Sequence, residues 1–329
     1  MINHNRDLFD TAGITHPVDW TRDQFRDAAK KLTVKDGSGN LTQWGSEVPN
    51  QNFFIQPWLF SNNISARNAD WTASNMLDPK VTESLQFLHD LIQVGGVAPI
   101  PGNDTTDNQF LADQVVMISR GHWIVENVKK AGLNMDIANV PSKLSPTTVI
   151  GFGGYAINKD TRNADFAKVL VTELTSVETQ IEEGVGGGGV PGRKTAADTA
   201  AFLAFPPSAP LYYASLPNTQ PVPSPAYFQE AEKIFIRYSA AMMSDEVSIA
   251  DGCKQANDEL NAPFDRLKQN GGYRPGAPVA VPPSLWPLLD FARWPPVVPI
   301  LPLRRRVLAM LSPFRRRRFT RCSCLRRCC

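Results

Sequence analysis

Cysteine is nearly missing from this chain until its end: Cys253 stands alone before Cys322, Cys324, Cys328 and Cys329 crowd the last eight of 329 residues. No disulfide framework therefore supports the body. Histidine is scarce as well. His4, His16, His89 and His122 stand at no metal-ligand spacing, so no zinc site and no cofactor is expected. A Gly-x-Ser-x-Gly elbow is absent, and nothing singles out two carboxylates as a catalytic pair. The start lacks the basic, apolar and small-residue regions of a signal peptide. There is no apolar run of the ~18 residues that a membrane span needs. Ala277 to Leu303 comes nearest and is broken by Pro287, Pro295, Pro296, Asp290 and Arg293.

What is present is lopsided. The formal net charge of +2 conceals a tail, residues 271 to 329, with 12 Arg, no Lys and the single acid Asp290, against a body carrying a net −9. The tail has ten prolines, Arg runs at 304 to 306 and 315 to 318, and no helical or strand period, so it is expected to be disordered. Arg without Lys, much Pro and terminal Cys are what a GC-rich reading frame gives when translated out of frame. The alternative is an arginine-rich arm that binds nucleic acid or anionic membrane by displacing counterions. Cys322-x-Cys324 with Cys328-Cys329 lacks the paired spacing of a metal site. With 42% apolar residues the body has enough to bury a core.

The body alternates helix and strand signals. Thr21 and Gln24 have capping-box spacing ahead of Phe25, Ala28, Ala29 and Leu32. Asp78-Pro79 opens a second helix with Val81, Leu85, Leu88 and Ile92 on one face, stopped by Gly95-Gly96. Short apolar runs at 115–118 and 135–138 suggest strands. A helix is expected over 164–182 with Phe166, Val169, Leu170 and Leu174 inward, and two more opening at Ser224-Pro225 and Ser248. That alternation indicates an α/β layered domain. No internal repeat is visible.

Two glycine motifs fail as phosphate sites. In Gly187 to Thr195, Arg193 intrudes between Gly192 and Lys194 and a helix precedes where a strand is needed. Gly151-x-Gly153-x-x-Ala156 follows a strand-like Thr147 to Ile150, but its helix begins only near Ala164. Trp123, after Gly121-His122 and before a helical segment at 124–130, is a better candidate. The apolar C–H face of a pyranose stacks on indole, while its hydroxyl groups need a few fixed polar partners.

Three segments in order, Asn5-Arg6-Asp7-Leu8-Phe9, Gly121-His122-Trp123 and Gly151 to Lys159, resemble the extracellular solute-binding proteins of bacterial ABC sugar importers, the maltose-binding-like family, over about residues 2 to 267. The resemblance implies an α/β, periplasmic-binding-protein-like two-lobe fold of three αβα layers. In that family the opening segment follows an already built first lobe, so the chain is expected to begin mid-protein with that lobe incomplete. Residues 1–150 would form the second lobe, 151–217 the hinge and the returning part of the first, 218–270 helices packed on the second, and 271–329 the tail. Residues 156 to 212, short of their sheet partner, would be the least stable part.

The ligand contacts implied are Trp123, Trp58, Gly153, Gly154, Tyr155, Arg193, Tyr227, Glu47 and Asn62. The two glycines are expected to allow positive φ or close approach of the ligand. The implied function is capture of a sugar or oligosaccharide by a monomer in the periplasm or at the outer face of the cell membrane, for delivery to ABC permease subunits, with no catalysis. The alternatives are a carbohydrate-active hydrolase and a basic-tail nucleic-acid-binding protein; the body itself gives no nucleic-acid signal.

Overall fold

The computed structural model describes residues 1–102 and 106–269, all within one compact unit. The expectations for the tail and its cysteines lie outside the described residues.

The chain opens with β1 (Ile2–Asn5), whose Asn5 side chain accepts from the Leu8 amide to cap α1 (Arg6–Thr11). Next comes α2 (Arg22–Leu32) with its capping box: Thr21 Oγ1 accepts from the Gln24 amide, and Gln24 Oε1 from the Thr21 amide. Phe25, Ala28, Ala29 and Leu32 are buried, as the period requires. A hairpin of β2 (Val34–Lys35) and β3 (Leu41–Gln43) leads to α3 (Asn52–Phe60), and α4 (Pro79–Gln93) starts at the Asp78 cap with Val81, Leu85, Leu88 and Ile92 inward. After α5 (Thr106–Leu111), the strand expected at 115–118 is two residues later, as β4 (Met117–Ser119). A 3₁₀ turn at His122–Ile124 enters α6 (Val125–Ala131), closed by Gly132 in the left-handed conformation that lacks a steric penalty only for glycine. β5 (Met135–Ala138) and β6 (Thr148–Ile150) follow.

The main sheet has order β4-β1-β5, with β1 antiparallel to both neighbours. Alternation along its strands feeds two cores. Met117 and Ala138 join Phe25, Trp58, Leu85 and Phe235 on one side; Ile118, Met135 and Ile137 join Phe110, Val125, Phe202 and Tyr212 on the other. Helices on both faces make the expected three-layer α/β arrangement.

The expected single helix over 164–182 is two, α7 (Ala164–Leu174) and α8 (Val177–Gly186), because Ser176 breaks out to cap the second through the Thr179 amide. The inward face predicted for α7 points outward. Phe166 is 63% exposed, Val169 and Leu170 are exposed too, and no residue of α7 is buried. Burial resumes in the short helices α9 (Lys194–Ala197), α10 (Ala200–Leu203) and α11 (Leu211–Ala214), whose Ala197, Phe202 and Tyr212 enter the second core. Ser208 ties this stretch to the sheet, donating from its amide and hydroxyl to the Asp136 carboxylate.

β7 (Thr219–Pro221) then pairs parallel with β6. The helix expected to open at Ser224-Pro225 begins three residues beyond that proline, as α12 (Phe228–Met243), and α13 (Ile249–Gln269) completes the body. Ala231, Ile234 and Phe235 of α12 and Cys253, Ala256 and Leu260 of α13 are buried in the first core. Among the described residues no helix is long and apolar enough to cross a membrane.

Candidate functional site

Trp123 is 48% exposed, at the end of β4 where the chain turns into α6. Gly121 makes its pose possible, since a β-carbon there would lie 2.0 Å from Trp123 Cζ3. Phe53 and Phe54, in the first turn of α3, flank the indole at 6.4 and 6.1 Å between ring centres. The Arg120 guanidinium lies 5.0 Å from the centre of the Phe54 ring. It is itself held by Glu47 at 2.8 Å and Asp107 at 2.5 Å. Glu47 also accepts from the Ser119 amide at 2.5 Å. Burial works against the charge on Arg120, but the two carboxylates outweigh it and raise its pKa. Burial pushes the Glu47 carboxyl upward against the pull of Arg120. This ion cluster fixes the β4 end, and with it the platform under Trp123.

Phe53 has a second role. With Ile150, Gly151, Phe152, Pro221, Val222, Ser224, Phe228 and Glu232 it lines a 260 Å³ pocket. The C-terminal ends of the paired strands β6 and β7 therefore meet α3 and α12 there. A β-carbon on Gly151 would approach Phe53 Cε2 to 3.1 Å. Glu232 is half-buried, and its carboxylate has no hydrogen bond or ion pair among the described residues. An aromatic-walled pocket with one unengaged carboxylate, beside an exposed indole, suits a solute with apolar faces and hydrogen-bond donors.

The predicted site residues are distributed unevenly around this centre. Trp123 is in it, and Glu47 supports it from within. Trp58 is 1% exposed, in the first core between Phe25 and Phe87 at 5.3 and 5.6 Å. Asn62 is buried, donating to Lys80 O, Glu83 and Ser84. Tyr155 is exposed, with its hydroxyl 3.5 Å from Glu183. Arg193 donates from Nε to Thr175 O at 2.6 Å, at the end of α7. Tyr227 accepts from Arg67 Nη1 at 2.8 Å and donates to Trp71 O. Gly153 and Gly154 have no positive φ, so that expected requirement does not apply, and a β-carbon on either would meet no protein atom within 4 Å.

Sequence reasoning missed Phe53, Phe54, Arg120, Phe152, Phe228 and Glu232. The tandem Phe53-Phe54 just after polar Gln51-Asn52 was the available signal. Among the described residues no group of three side chains is arranged to hold a metal ion.

Residues 1–207 match the family model described as bacterial extracellular solute-binding protein. No curated protein matches in sequence. Among solved structures, an ABC substrate-binding protein from Listeria monocytogenes in complex with cycloalternan is similar at TM-score 0.70 and 21% identity, covering 80% of this chain and 69% of that one. The maltose/maltodextrin-binding domain MalE from Bdellovibrio bacteriovorus, bound to maltotriose, is similar at 0.67 and 20%, covering 80% and 70%. UgpB from Mycobacterium tuberculosis, in complex with glycerophosphocholine, is similar at 0.66 and 14%, covering 81% and 69%. The fold is thus that of the two-lobed binding proteins.

Proposed function

The chain belongs to the bacterial extracellular solute-binding proteins, and from that premise we propose that its solute is a sugar or oligosaccharide, held for delivery to an ABC permease without covalent chemistry. The observation that carries this reading is the half-exposed Trp123 braced by Phe53, which is also a wall of the 260 Å³ pocket. Indole and phenyl faces offer stacking for pyranose C–H surfaces, and Glu232 offers an acceptor for hydroxyl groups. Burial of those contacts supplies the binding energy.

Two neighbours in fold carry a saccharide and a third carries glycerophosphocholine, so the sugar reading rests on the site rather than on likeness. The division into a lobe over 1–150, a hinge and returning segment over 151–217, and helices over 218–270 belongs to the same proposal. The adjacent parallel strands β6 and β7 support it as paired crossings. The buried faces of α12 and α13 in the first core support the return of the last helices.

Isothermal titration with maltotriose, cycloalternan and glycerophosphocholine tests the reading. Saccharide binding that disappears in Trp123→Ala supports it. Binding of glycerophosphocholine alone, or saccharide affinity unchanged by that substitution, rejects it.

A further inference from the structure

A second, smaller cavity adjoins the aromatic pocket and shares two of its walls, Phe228 and Glu232. It is also lined by Asn52, Gln56 and Arg67 and holds 20 Å³. A single water molecule needs about 10–15 Å³ of such space.

Two of the lining side chains are deeply buried and incompletely bonded. Arg67 is 5% exposed and Gln56 2%, yet Arg67 Nη2 and Gln56 Oε1 have no hydrogen-bond partner among the described residues. Their neighbouring atoms are engaged: Arg67 Nη1 donates to the Tyr227 hydroxyl at 2.8 Å, and Gln56 Nε2 donates to Asn52 Oδ1 at 2.9 Å. Those bonds anchor both side chains, so the orphan atoms are left with a need that no described residue meets. Buried donors and acceptors are satisfied in the great majority of native structures, by ordered water where protein groups do not reach. Burial also lowers the pKa of the Arg67 guanidinium, and no carboxylate offsets it.

One orphan is a donor and the other an acceptor. A group that only accepts would leave Gln56 unmet, and a cation would leave Arg67 unmet. An O–H oxygen answers both, accepting from Arg67 Nη2 and donating to Gln56 Oε1. We propose that this cavity is a one-oxygen site, filled by an ordered water in the free protein and open to a single hydroxyl of a solute seated in the adjoining pocket. Arg67 and Gln56 are then specificity-determining residues that read the presence of one hydroxyl.

Crystal structures of the free protein and of the protein with maltotriose, at a resolution that reveals ordered water, test this. The expected result is an oxygen within about 2.7–3.2 Å of both Arg67 Nη2 and Gln56 Oε1. A water in the free form supports the site whether or not maltotriose binds, so its outcome is separate from that of the sugar reading. A maltotriose hydroxyl in place of the water extends the site to the solute. In Gln56→Leu the oxygen should disappear while the Arg67–Tyr227 bond persists. An empty cavity in the free protein, or Arg67 and Gln56 bonded directly to each other, overturns the proposal.

Discussion

The indole of Trp123 folds back across Gly121 so closely that a β-carbon at Gly121 would lie 2.0 Å from its Cζ3. Gly121→Ala therefore forces the ring off its platform of Phe53 and Phe54. We expect saccharide affinity to fall about tenfold or more, a loss of about 1.4 kcal/mol. Titration followed by tryptophan fluorescence checks this. Unfolding by urea should change little, because the indole is half-exposed.

Arg120→Met removes the cation from a buried cluster and leaves Glu47 uncompensated, which typically costs about 3–5 kcal/mol. Urea unfolding should show that loss. Glu47→Gln with Arg120→Met should recover part of it, since the buried carboxylate is then gone. A single variant as stable as the parent would mean that the cluster does not hold the β4 end.

Acid should weaken the fold through His4 and His122. Burial pushes both down to about 4, whereas in an unfolded chain each titrates near ~6.5. The unfolded state binds more protons between those values, so stability is full above about pH 6.5 and falls as pH drops toward about 4. Each group contributes up to about 1.4 kcal/mol per pH unit. His89 acts oppositely: burial lowers its pKa, but Asp245 and Asp90 outweigh that and raise it, so its stabilising contribution is lost as pH rises. His122 stacks 5.1 Å from Phe202, with both ring nitrogens unpartnered among the described residues. His122→Phe should fit that stack and make urea midpoints between pH 4.5 and 7 less pH-dependent.

Hydrogen exchange should divide the chain. The stretch from Gly151 through α7 is exposed throughout or nearly so and buries no side chain, so its amides should exchange far sooner than those of α4 and β5. Equal protection would contradict this. The segment from α9 to α11 should be the more protected part of the returning stretch, because Phe202 and Tyr212 enter the second core.

The helices whose ends carry chemistry were legible. Thr21 with Gln24 and Asp78 with Pro79 mark where α2 and α4 begin, and their buried faces follow the period. The period of α7 was equally clear, yet it reveals only that an apolar face exists, not whether anything covers it. The candidate site was legible only where a local motif carried it, at Gly121-His122-Trp123. Phe53 lies far in sequence from Phe228 and Glu232, which are one turn apart on α12, and it meets them only when α3 and α12 assemble. Trp58 entered the candidate set through the resemblance, yet it falls five residues after Phe53 on the same helix, about 140° around it, and faces the core.

The central strand of the sheet is the first one in the chain, and its register joins Ile2 to Ser119 and Asn5 to Met135. During synthesis β1 therefore has no partner on either edge until more than a hundred further residues have left the ribosome, and the buried polar side chains of Asn3, His4 and Asn5 wait with it. Contacts so distant in sequence close slowly. The nascent chain spends that interval with both edges of its future middle strand open to pairing with other chains, so a holding chaperone, rather than a more stable core, is the remedy for poor yield.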